Sequence, residues 1–173
     1  PESLAAFVTP RSAAIKGAAA AWQKALPEPL RADPLGPTAA AFTALGLKGL
    51  RYAKDPVNPY GAEVLDFVQF AAQTLETGTG DCDDLAVAFA SVGEAMGVPM
   101  LLVVTPDHVF TAVHTGIPAQ AMHLYTVQPD RMLVHNGQVW LPVETTQIGK
   151  SLTEAHRVAA DELKRWRDTP DKL

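Results

Sequence analysis

The chain has 173 residues, 47% hydrophobic and 19% charged, which suits one ordinary domain with a sizeable core and excludes a largely disordered, collagenous or low-complexity chain. A net charge of −5 gives no electrostatic basis for binding nucleic acid or an anionic membrane surface. The one cysteine excludes an intrachain disulfide framework and a cysteine-based structural zinc site, and the longest apolar run, Val98 to Val104, falls short of the roughly 20 residues a membrane helix needs.

The chain begins at Pro1, with no charged, apolar leader ahead of the domain, and reads as trimmed or processed. Helical patterning covers Ser12 to Leu26 and again Pro37 to Tyr52, with the proline-rich stretch Pro27 to Pro37 as a loop between them. Asp55 to Tyr60, carrying Pro56 and Pro59, reads as an irregular connection. Val64, Leu65, Val68, Ala71, Ala72 and Leu75 then recur at helical spacing and predict a third helix over Ala62 to Leu75.

Gly78 to Asp84 forms a glycine-containing turn into a helix whose apolar face is Leu85, Ala86, Phe89, Val92, Gly93 and Met96, stopped by Gly97 and Pro99. Cys82 therefore sits at or near a helix N-terminus. Beyond Pro99 the runs are β-rich: Met100 to Thr105, His108 to His114 and Leu124 to Gln128. Met132 to His135 and Gln138 to Val143 follow, flanking Asn136-Gly137, a strong hairpin signal. Ser151-Leu152-Thr153-Glu154 fits a capping box for a last helix through about Arg167. Helices, then a small antiparallel sheet, then a helix favour an α+β fold and one domain over 1–173. It divides into a helical N-terminal extension or cap (1–60), a core (61–150) and a C-terminal helix (151–173).

A free thiol, with a pKa of about 8.5, is only a few per cent ionised at neutral pH, so a nucleophilic cysteine needs activation. A helix start supplies unpaired N–H groups and the positive end of the dipole, and an imidazolium would add to both. Of His108, His114, His123, His135 and His156, His108 is best placed, at the start of a strand after Pro106-Asp107. His114 shares its strand face but lies about 20 Å further along, so the two do not share a site. Glu144, ending a strand that can pair beside that of His108, is the first choice for the acid orienting the imidazole, with Asp130, Asp107 and Glu154 as substitutes.

Gly80-Asp81-Cys82-Asp83-Asp84-Leu85-Ala86, then Asp107-His108-Val109-Phe110, then Trp140-Leu141-Pro142-Val143-Glu144, resembles the transglutaminase-like superfamily, specifically bacterial transglutaminase-like cysteine proteases. The resemblance covers roughly residues 60 to 150. It implies a papain-like α+β core with the nucleophile at a helix N-terminus packed on the sheet, and a triad of Cys82 as nucleophile, His108 as base and later acid, and Glu144 as orienting acid. The activity implied is peptide or amide hydrolysis through a thioester on a protein or peptide substrate, without a cofactor. The alternatives are a protein-glutamine transglutaminase and an inactive peptide-binding module. The oxyanion would be met by the Cys82 N–H and one side chain, with Tyr60, Gln69 and Gln73 left open as donors. Some relatives bind calcium through acids beside the cysteine. Here Asp81, Asp83 and Asp84 lack the twelve-residue loop and terminal Glu of an EF-hand and read as helix-capping acids, so no metal is expected. The resemblance is consistent with a periplasmic or extracellular setting, and the sequence does not specify the oligomeric state.

Overall fold

The computed structural model describes residues 4–54 and 68–167. A short 3-10 turn, Leu4–Phe7, leads into α1 (Ala13–Ala25), the single-turn α2 (Glu28–Arg31) and α3 (Leu35–Leu47). Helix α3 starts ahead of Pro37, where the missing proline N–H costs nothing because first-turn amides have no intrahelical partner. The Pro27 to Pro37 stretch is therefore partly helical rather than all loop. The helix expected to reach Tyr52 ends at Leu47, because Gly49 turns the chain through φ +92°. Beyond it β1 (Arg51–Tyr52) pairs in parallel with a later strand.

Of the third expected helix, 62–67 lie outside the described residues, and Val68 to Phe70 are not helical. The Gln69 amide is drawn to Asp84, and Phe70 is extended, donating its N–H to Gln73 Oε1 (2.9 Å). Helix α4 (Ala71–Thr77) therefore begins late, and β2 (Thr79–Gly80), the partner of β1, follows it. Then comes α5 (Cys82–Ala95), buried at every residue from Asp83 to Gly93, the polar Asp83, Asp84 and Ser91 included. Phe42 of α3 meets its Phe89 edge-on at 5.6 Å. Gly97, at φ +81°, turns the chain out of it, as the sequence predicts.

Four antiparallel strands, β3 (Met100–Val104), β4 (Val109–Pro118), β5 (Leu133–His135) and β6 (Gln138–Val143), lie in the order β3-β4-β6-β5. Alternation sends Val109 and Val113 into the main core with α5, and Phe110 into a second cluster with Ala159 and Leu163 of α6 (Leu152–Arg167). The helix-sheet-helix stack is an α+β fold. Asn136 (φ 49°) and Gly137 (φ 70°) form the expected hairpin, and Glu154 N–H donates to Ser151 Oγ (3.2 Å) as its capping box requires. Leu124 to Gln128 is not a strand: a 3-10 turn covers Ala119–Leu124, and Leu124 and Val127 are 73% and 97% exposed. The place beside β4 is taken by β6. Among the described residues no helix is long and apolar enough to cross a membrane.

Candidate functional site

Cys82 is the first residue of α5, half-buried, so its N–H belongs to the first turn, whose amides have no helical acceptor. The turn before it is locked by a reciprocal pair. Asp84 N–H donates to Asp81 Oδ1, and Asp81 N–H donates to Asp84 Oδ2, each at 3.3 Å. Asp84 is 1% exposed and also accepts from the Gln69 backbone N–H and from Gln69 Nε2, both at 2.7 Å. Gly80 is needed beside it: a Cβ there would lie 2.5 Å from Asp84 Cβ. The capping expectation for these acids holds for Asp81 and Asp84.

The imidazole arrives from the sheet. The tight turn between β3 and β4, closed by Thr105 N–H donating to the His108 carbonyl (2.8 Å), presents His108 just ahead of β4. Pairing of β4 with β6, with Thr111 opposite Val143, brings Glu144 to the same end. His108 Nε2–H donates to Glu144 Oε2 at 2.7 Å, and the Cys82 side chain lies close enough to the same ring to act on its charge. Those two neighbours, Cys82 first, outweigh partial burial and push His108 up to about 10. Burial alone would raise Glu144, which is 2% exposed, yet the bonds from His108 and Thr146 hold it below its ordinary value. Its second oxygen accepts from Thr146 N–H (3.0 Å) and Thr146 Oγ1 (2.8 Å). Thr146 went unremarked in the sequence, where a threonine two residues after a strand-end acid was the available signal.

The other candidates are placed elsewhere. His114 packs edge-on against Trp140 at 4.9 Å, with His135 on the same indole at 6.4 Å, and the His156 ring bonds the Pro142 carbonyl at 3.0 Å. Asp107 accepts from Thr105 Oγ1 (3.4 Å), and Glu154 pairs with Lys150 (3.2 Å). Asp130 keeps its backbone carbonyl on Arg167 (3.0 Å), so Glu144 is the acid that meets the imidazole. Tyr60 lies outside the described residues. Gln69 spends its amide on Asp84 and on the Thr79 carbonyl (3.3 Å), and Gln73 caps α4 with its oxygen.

Asp81, Cys82 and Asp83 each offer a ligand atom within 4.8 Å of the others. Desolvation, then the hydrogen bond and the charge of Asp83, push Asp81 up to about 6. Both Asp84 oxygens are taken by Gln69 and Asp81, which leaves the three-acid set without one of its members for calcium. Chemically, the assembled groups can generate a nucleophile, move its proton and offer a helix-start N–H to a developing oxyanion. Comparison with protein-family models, with curated proteins and with solved structures gives no match.

Proposed function

We propose that the chain is a cysteine peptidase or amidase of the transglutaminase-like kind, with a papain-like core, acting on a protein or peptide amide through Cys82, His108 and Glu144. The observation that supports this reading is one imidazole hydrogen-bonded to a buried carboxylate and raised by the neighbouring thiol of a helix start. A histidine that keeps its proton to about 10 is the cation a resting thiolate needs beside it. The thiol proton passes to His108, and Sγ attacks the amide carbon, moving the carbonyl electron pair onto oxygen, where the Cys82 N–H meets it. Collapse breaks the C–N bond, the leaving amine takes the proton from His108, and a thioester remains. Water then gives a proton to His108 and attacks the thioester. The acid departs and the site returns to its starting state.

The Asp81–Asp83 carboxyls beside the thiol oppose a thiolate and favour a second reading, an inactive module that holds a peptide. An amine replacing water would make the same thioester a crosslinking step. Incubation with unfolded casein, with and without a fluorescent primary amine, separates the three. Cleavage that disappears in Cys82→Ala supports the hydrolase, amine incorporation without cleavage the transferase, and neither the binding module.

A further inference from the structure

The sheet has two edges, and they are finished differently. Just ahead of the β5 edge, Arg167 reaches from the end of α6 to donate to the carbonyls of Asp130 (3.0 Å) and Met132 (2.8 Å). The β3 edge has no such closure among the described residues. Its open groups follow from the register. His114 N–H bonds the Pro99 carbonyl and Thr105 N–H the His108 carbonyl at the two ends of the β3–β4 ladder, so Leu101 and Val103 face β4. Met100, Leu102 and Val104 then direct their N–H and C=O groups outward. The Met100 N–H is taken by Glu94 Oε1 (2.8 Å), while those of Leu102 and Val104 have no partner among the described residues.

Alongside this edge, on the α5 side, runs a groove of about 560 Å³ lined by Val8, Pro10, Ala90 and Glu94 with the strand's own Met100 and Leu102. An added strand would send every second side chain into it. Natural sheets normally blunt an open apolar edge with a charge, a proline or a cover; here the charge of Glu94 sits at the Met100 end, and at the other end Val104 stands 46% exposed. The strand also runs toward the thiol, since the residue after it, Thr105, bonds the backbone of His108. Glu94, the one charged residue among those lining the groove, lies against Met100, at the end remote from His108.

We infer that the β3 edge is the docking strand for substrate: an extended polypeptide pairs with Leu102 and Val104, drops apolar side chains into the groove, sets a basic side chain beside Glu94 and is led toward Cys82. This rests on the peptidase reading and adds to it a substrate class, extended chain with alternating apolar residues and a lysine or arginine away from the scissile bond.

The test uses the full chain carrying Cys82→Ser, labelled with 15N, and capped hexapeptides alternating valine with serine, with lysine at either end. Saturable shifts of the Leu102 and Val104 amides, with at least about tenfold slower exchange, are expected. Val104→Pro removes one outward N–H while leaving the ladder to β4 intact, and should weaken binding at least about tenfold with the Leu101 and Val103 amides still protected. Glu94→Gln, which keeps the acceptor for Met100, should abolish the preference for the lysine peptide over its glutamine counterpart. Shifts confined to another surface, or no saturable binding at millimolar peptide, would overturn the inference. Alkylation of Cys82 in the unmutated chain reads the triad alone, so failure of the catalytic reading and failure of the docking strand are told apart.

Discussion

Asp84 and Glu144 are both carboxylates with almost no exposure, 1% and 2%, and they use their lone pairs in opposite ways. Asp84 receives donors from the Gln69 backbone, the Gln69 side chain and the Asp81 backbone, none of which titrates. Glu144 gives one oxygen to the non-titrating Thr146 and the other to His108, a group that can gain or lose a proton. A buried carboxylate saturated by amides holds a chain in place. One that keeps an oxygen for an imidazole sets that imidazole's charge, which is how the same residue chemistry builds a scaffold at one end of α5 and a site beside it.

Glu144→Ala should break the comparison most sharply, lowering amide turnover on the order of 10² to 10⁴-fold while the protein stays folded, as read from steady-state kinetics and circular dichroism. Asp84→Ala should do the reverse. Stripping the acceptor from Gln69 and Asp81 costs about 3 kcal/mol in urea unfolding, and activity should fall only as the folded population falls. If Asp84→Ala kills activity at full stability, the division between scaffold and site is wrong.

The two residues of the ion pair set a pH window. His108 is raised from 6.5 to about 10, so its contribution is whole below pH 6.5 and fades as pH rises toward 10. Glu144 is lowered from 4.5, so its contribution is present above pH 4.5 and fades as pH falls below it. The stability difference between the wild type and His108→Ala should be largest between those limits and shrink on the alkaline side; a difference flat from pH 5 to 10 contradicts it. The smallest effect is expected from Thr146→Val, which keeps the backbone N–H on Glu144 and loses only the hydroxyl. Turnover should drop about tenfold and stability about 1 kcal/mol, with serine restoring both.

What could be read from the sequence followed strong local rules. The apolar periodicity after Cys82 gave α5, Asn136-Gly137 gave the hairpin, and Ser151 with Glu154 gave the start of α6. Residues far apart in sequence were harder. Val68 to Phe70 fit a helical period but are not helical, the Gln69 amide being taken by a carboxylate fifteen residues on, and Leu124 to Gln128 has strand composition but no free edge beside β4. Likewise Cys82, His108 and Glu144 stand in the sequence as residue types in order, whereas nothing local reveals that Gln69, one of three oxyanion donors left open, bonds Asp84. Thr146 carries only the weak signal of a threonine two residues after a strand-end acid, since its importance comes from the side chain it holds.

The most direct test of the Cys82–His108–Glu144 relay is the rate of Cys82 alkylation by iodoacetamide between pH 5 and 9 in the native wild type, His108→Ala and Glu144→Ala. The relay predicts that at pH 6 the wild-type thiol reacts at least about tenfold faster than in His108→Ala, whose profile follows that of a free thiol, with Glu144→Ala between them. Three superimposable profiles would contradict it and leave the groove of this protein as a place where a peptide is held and not cut.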